Sequence, residues 1–288
     1  MGPASAGDSE SYCKPVEGER LTDIFFASAA ARVLAGVAMV TVIALAARRL
    51  DSLSGSGAVA AVVIATACMA AGRTWALLLI AFFITGVGLS ATWKKAKSVR
   101  TGDVVEKGGA RDAWQVLANG GVLAGAAMGS VLWPSPSWQV LGAGAIAAST
   151  ADTWATEIGM LSSRPPRSLV SFATVAPGTS GGVTWLGTIA AAGGALFIAL
   201  ATFLLKWPLH AVCAAAIGGF AGSILDSLLG ATLQATRWCE HCGRATEREV
   251  HSCGTVTLAT GGIRWLDNDA VNALSSLGGA IIGMLCLL

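Results

Sequence analysis

Residues 147–161, AASTADTWATEIGML, place two carboxylates, Asp152 and Glu157, inside an apolar run that begins near Val140. Ser149, Thr150, Thr153 and Thr156 surround them. A carboxylate at bilayer depth costs a few kcal/mol or more unless it is paired or holds a cation, so an ionisable group there marks a functional site by default. A helix turns about 100° per residue, which stacks Asp152 on Thr156 and Thr153 on Glu157. The two acids then flank a broad polar face. The bland alternative is a polar contact between helices.

Four further stretches combine polar groups in the same way. Arg111, Gln115 and Asn119 recur every four residues, putting a cation and two amides on one helix face, with Lys107 and Gly108–Gly109 just ahead of them. Thr179, Ser180, Gly181 and Gly182 form a Gly-rich loop leading into an apolar segment, the general form of a phosphate cradle. No Gly-Lys-Ser/Thr follows, so it is not a Walker A loop, and a helix N-cap explains Thr179 or Ser180 equally well. Ser223, Asp226, Ser227 and Gly230 share a face by spacings of three and four. Asp267, Asn268, Asp269 and Asn272 open the last apolar segment, where Asp267 or Asn268 could serve only as an N-cap.

The elements that must carry these groups are membrane helices. Of 288 residues 54% are hydrophobic and 12% charged, against about 25% charged in a soluble domain. Apolar segments fall at about 22–47, 56–72, 74–92, 113–133, 138–161, 182–205, 208–235 and 267–288. The expected fold is all-α: a polytopic transmembrane bundle of about eight spans, packed closely through its 36 glycines. Residues 1–20 read as a polar tail without the order of a signal peptide, and 21–288 as a single transmembrane domain. Most of the 19 Lys and Arg fall in alternate loops: Arg48 and Arg49; Lys94 to Arg111; Arg164 and Arg167; Arg237 to Arg264. The positive-inside rule puts those loops in the cytoplasm of a cell whose inner (plasma) membrane holds the chain. All five polar sets then lie at cytoplasmic span ends and can meet in one cytoplasm-facing cavity. Membrane lipid is the expected surrounding, and no nucleic-acid partner is expected.

Cys239-Glu-His-Cys242 and His251-Ser-Cys253 lie in the 236–266 loop. Cys239, Cys242, His251 and Cys253 offer four zinc ligands. Free thiols in a reducing cytoplasm are equally ordinary.

Carboxylates, hydroxyls, amides, Gly-rich loops and cations in one cavity suit phosphoryl or nucleotidyl transfer on a lipid, with Mg²⁺ between carboxylate and phosphate. The motifs ADTWATEIG, PGTSGGVT, DSLLGATLQ and NDAVN, in that order over about residues 100–280, resemble the integral-membrane domain-of-unknown-function family 92. That family includes animal transmembrane protein 19 and the plant phytyl-phosphate kinase. The resemblance implies transfer of a phosphoryl group from CTP, or another nucleoside triphosphate, to a phytyl or polyprenyl monophosphate. The compact chain looks like a bacterial member, and residues 1–55 carry no matching motif. An acceptor that is already an ionised phosphate needs no general base, which agrees with the absence of His from the spanning motifs. On this reading Asp152, Glu157, Asp226 and Asp269 are candidates for Mg²⁺. Lys107, Gly108, Arg111, Thr179, Ser180, Gly181 and Gly182 bind phosphate, Arg111 with a catalytic role. Asn119, Ser227, Asn268 and Asn272 orient the nucleotide. The alternatives are a CTP-dependent lipid cytidylyltransferase, which releases pyrophosphate, and a cation- or proton-coupled transporter.

Overall fold

The computed structural model describes residues 29–101 and 109–288. The polar tail, Lys107 and Gly108 lie outside them. Eight α-helices run through the described residues: α1 (Ala29–Arg49), α2 (Gly55–Ala71), α3 (Arg73–Thr101), α4 (Ala113–Leu132), α5 (Ser137–Gly159), α6 (Trp185–Leu204), α7 (Leu209–Thr232) and α8 (Asn268–Met284). They coincide with the eight apolar segments of the sequence. Parts or all of α3, α4, α6 and α7, and α8 together with the short turn that continues it to Leu287, are long and apolar enough to cross a membrane; α2 is apolar but shorter.

The helix ends are set by local chemistry. The Ser54 hydroxyl accepts from the Gly57 amide at 3.1 Å and starts α2. Asp112 and Gln115 close a reciprocal capping box at the start of α4. Thr184 caps α6 and Asp267 caps α8. The cap of α6 is therefore neither Thr179 nor Ser180. The α2–α3 hairpin turns on Gly72, whose φ of 136° suits glycine alone. The α4–α5 turn is fastened by the Trp138 indole, which donates to the Trp133 carbonyl at 2.8 Å.

Helix α5 is the axis of the bundle, packed against α3, α4, α6, α7 and α8. Its polar composition disqualifies it as a lipid-facing span, and its position shields it from lipid. Glycine permits this central placement. A Cβ added at Gly144 would stand 2.6 Å from the Gly279 carbonyl oxygen; Gly218 is closed in by α8, and Gly222 by α5 and α8. The backbones of α5, α7 and α8 thus touch directly, the contact that small residues allow in membranes. The end remote from the polar motifs is filled by the core around Trp75 and Trp207, whose rings meet edge to face at 4.7 Å. Outward faces carry exposed apolar side chains such as Val63, Ile84, Leu196, Leu200 and Ile281.

Short strands cover the opposite end. Strands β1 (Arg167–Ser168) and β2 (Gly182–Val183) pair antiparallel ahead of α6. Between α7 and α8, β3 (Thr236–Cys239) is flanked by β4 (Arg244–Thr246) and β5 (Leu258–Gly261) in one antiparallel sheet.

Candidate functional site

The starts of α4, α6 and α8 and the ends of α5 and α7 converge on one cavity of about 530 Å³. Its walls carry Arg111, Gln115 and Asn119; Asp152, Thr153 and Glu157; Thr179, Ser180, Gly181 and Gly182; Ser223, Asp226 and Ser227; and Asn268 and Asn272. All five polar stretches of the sequence contribute. Asp269 is buried in the first turn of α8 and is not part of the lining.

The acids of α5 and α7 face each other. Asp226 is in hydrogen-bond reach of Asp152 and of Ser275. Its Oδ2 atom is buried without a hydrogen-bond partner among the described residues. Two carboxylates this close repel unless a proton or a cation lies between them. Aligned oxygens with spare acceptor capacity are the donor set that Mg²⁺ prefers.

Glu157 has different company. It is 4% exposed, and its Oε1 accepts the Ser90 hydroxyl proton at 2.7 Å. Arg111 Nη2 donates to the same Ser90 oxygen at 3.2 Å and lies 3.5 Å from the Gly86 carbonyl. Arg111 ahead of α4, Ser90 within α3 and Glu157 near the end of α5 thus form a hydrogen-bonded relay. Arg111 is not on the face of α4 as its spacing implies. It lies one residue ahead of the Asp112 cap, in an extended segment bridged to Leu53. Gln115 is turned back into the capping box, accepting from the Asp112 amide at 3.1 Å. Asn119 donates to the Gln115 carbonyl at 2.9 Å, and its own carbonyl accepts from Ser149 on α5 at 2.9 Å.

The Gly-rich loop is a turn rather than the first turn of a helix. Gly181 has φ 71°, and an added Cβ there would collide with Ala231 of α7. The loop is therefore pressed onto the end of α7, near Asp226. Thr179 accepts from the Gly182 amide at 3.0 Å, and Gly182 continues into β2. Ser180 donates to Glu247, which also accepts from Gln234 at 3.1 Å. Glu247 and Gln234 both line the cavity.

Ser90 and Glu247 were not singled out by the sequence. Ser90 sits alone in an apolar helix, and Glu247 is one of several charges in a loop with the look of a solvated surface.

An apolar cleft of about 90 Å³ adjoins the cavity. Ile43, Ala61, Ala65, Leu79, Phe82 and Phe83 line it, and so do Arg111, Gln115, Asn119 and Thr153, which belong to both spaces. Trp114, Trp185 and Trp265, at 71%, 77% and 70% exposure, stand at the starts of α4, α6 and α8. Exposed tryptophans are enriched where a membrane meets water.

The Cys/His loop caps the same end. Cys239 is buried at the end of β3, and its Sγ is 3.6 Å from that of Cys253. Hydrogen bonds at Thr255 and His251 bring the Cys253 thiol down to about 5, whereas contact with Cys253 pushes the Cys242 thiol up to about 11.

The family model of the integral membrane protein DUF92 matches residues 38–280, further toward the N-terminus than the motifs reach. Protein PGR of Arabidopsis thaliana is 32% identical over 274 residues, covering 85% of this chain and 93% of its own. An uncharacterized membrane protein of Methanocaldococcus jannaschii is 30% identical over 256 residues, covering 88% and 94%. No solved structure matches the chain. The chain belongs to the integral membrane family DUF92.

Proposed function

We propose that the protein is a kinase that transfers the γ-phosphoryl group of CTP, or of another nucleoside triphosphate, to a phytyl or polyprenyl monophosphate. The observation that carries this reading is that a polar cavity and an apolar cleft share Arg111, Gln115, Asn119 and Thr153. A substrate with an anionic head and an apolar tail fits across that shared wall. The tail lies against Ile43, Leu79 and Phe83, and the head meets Arg111.

The reaction forms a bond between an acceptor phosphate oxygen and Pγ and breaks the bond from Pγ to the β-bridging oxygen, so the nucleoside diphosphate leaves. The acceptor is already ionised, and no side chain has to remove a proton. The barrier is the meeting of two anions, so the protein's tasks are charge neutralisation and in-line placement. Arg111 neutralises the acceptor, held in direction by Ser90 and, through it, by Glu157. Asp152 and Asp226 would hold Mg²⁺, which supplies positive charge to the nucleotide phosphates. Thr179, Ser180 and the backbone of Gly181–Gly182 border the same space and receive the triphosphate; Asn119, Ser227, Asn268 and Asn272 complete its wall. Glu157 serves Arg111 here rather than the metal, and Asp269 supports the start of α8.

The basic residues Arg164, Arg167, Arg237, Arg244 and Arg248 flank this end of the bundle, which the positive-inside rule places in the cytoplasm, where nucleotide is present.

The test uses purified full-length protein in detergent with Mg²⁺, labelled CTP and a panel of isoprenyl monophosphates. γ-Label in an isoprenyl diphosphate, with CDP released, supports the kinase. CMP joined to the lipid, with pyrophosphate released, overturns it in favour of a cytidylyltransferase. No turnover with any nucleotide in folded protein overturns both.

A further inference from the structure

The loop between α7 and α8 is built from two tight turns that face each other. In the first, Cys239-Glu-His-Cys242 reverses the chain between β3 and β4, and the Gly243 amide donates to the Cys239 carbonyl at 2.9 Å. Gly243 has φ 60°. In the second, His251-Ser-Cys253 reverses the chain between the bridged Val250 and Val256, and the Gly254 amide donates to the His251 carbonyl at 2.8 Å. Gly254 has φ 84°. Each turn thus contributes two of the four ligand-type side chains and has a left-handed glycine directly after its last cysteine. A turn of this shape points the two side chains and its amides at a common centre.

The ligand atoms of Cys239, Cys242, His251 and Cys253 all lie within 4.8 Å of one another. Two of the separations are tighter: 3.6 Å between Cys239 Sγ and Cys253 Sγ, and 3.2 Å between His251 Nδ1 and Cys253 Sγ. A tetrahedral zinc ion with Zn–S bonds of about 2.3 Å sets its sulfur ligands about 3.8 Å apart. The four side chains are therefore gathered closely enough to share one zinc-sized ion. Cys239 is 0% and His251 4% exposed, with Cys242 half-buried and Cys253 at the exposed edge of the cluster.

From these distances we infer that the loop holds one structural zinc ion, ligated by Cys239, Cys242, Cys253 and His251. All four corners are occupied by protein atoms, which is the closed form of a structural site and leaves no position for a reacting water. The site does not rest on the kinase reading.

Its placement gives it a task. Glu247 sits on the chain between the two turns and is the residue that reaches Ser180 and Gln234 in the cavity wall. Zinc fixes both ends of that segment, and so holds Glu247 against the Gly-rich loop. The segment is also tied by the pairing of β3 with β4, by Arg237 to Glu249 at 2.7 Å and by the Thr257 hydroxyl to the Arg248 carbonyl at 2.6 Å.

The experiment is metal analysis of the full chain, purified in detergent without chelator and scanned for zinc and iron together. The expected result is about one zinc per chain, lost in Cys239→Ser and in Cys253→Ser and kept in Cys213→Ser. Should a loop variant fail to fold, wild-type protein stripped by a chelator and refilled with cobalt(II) reports instead, through the visible absorption of a tetrahedral cobalt thiolate. Three results overturn the inference: metal-free folded protein, iron in place of zinc, or a Cys239–Cys253 disulfide found by mass spectrometry without reduction. The task of the site is read separately. Amide exchange of residues 176–184 should speed up on chelation, and unchanged exchange overturns the link to Glu247.

Discussion

Arg111 and Glu157 can be tested as a coupled pair. Their two legs to Ser90, 3.2 and 2.7 Å, keep the guanidinium within about 6 Å of the carboxylate. At an effective dielectric of about 20, unit charges at that distance attract by about 3 kcal/mol. Glu157 is 4% exposed, so solvent does little to screen the pair. Arg111→Met takes the guanidinium away from the buried carboxylate, and Glu157→Gln takes the negative charge away from the guanidinium. Each single change should cost about 3 kcal/mol, which at about 2–4 °C per kcal/mol lowers the melting midpoint in detergent by about 6–12 °C. The double variant should melt close to either single one, because the second change removes one side of an attraction that the first has already abolished. The assay is a double-mutant cycle on the thermal midpoint, read by the recovery of monodisperse protein. Additive losses, with a coupling below about 0.5 kcal/mol, would refute the relay through Ser90. Activity separates from stability in the same set: on the kinase reading the double variant remains inactive although it melts with the singles.

Other expectations follow from the same geometry. Asp226→Asn removes half of the carboxylate pair and should lower turnover by about 10²–10³ or more while folded protein remains in the membrane; retained turnover takes Asp226 out of the metal site. Ala65→Phe fills the apolar cleft and should raise the KM for a long isoprenyl acceptor while leaving the KM for nucleotide unchanged; equal effects on both would place the tail elsewhere. Gly218→Ala pushes a methyl group into the Gly279 carbonyl and should destabilise the α7–α8 contact by about 1–3 kcal/mol, seen as a lower melting midpoint; an unchanged midpoint would mean that the helices separate freely there.

Hydropathy made the eight helices readable, because each span needs its own apolar run and each turn its own break. The convergence of the five polar stretches was also readable, since alternate loops in a hairpin bundle return to the same membrane face. The organisation within the cavity was not. Periodicity assigned Arg111 to the helix face of Gln115 and Asn119, but the capping box at Asp112 stops the helix one residue short of it. Spacing placed Asp152 and Glu157 on the two flanks of one polar face, but their partners could not be read from it: Ser90 for Glu157 and Asp226 for Asp152. Ser90 itself carries no local signal, for its meaning comes from a partner 67 residues away. The centrality of α5 is likewise a property of the packing around it. A single helix does not state how many others will touch it.

The shared wall of cavity and cleft has a kinetic consequence. On the proposed reading one reactant arrives from water and the other from within the lipid layer, so the two are counted in different units. The nucleotide is diluted by buffer, but the acceptor is diluted only by other amphiphiles. Adding detergent at fixed total acceptor should slow the reaction as the mole fraction of acceptor falls, and adding buffer at fixed mole fraction and fixed nucleotide concentration should leave it unchanged. The rate law of such a protein is written for a surface on one side and a volume on the other.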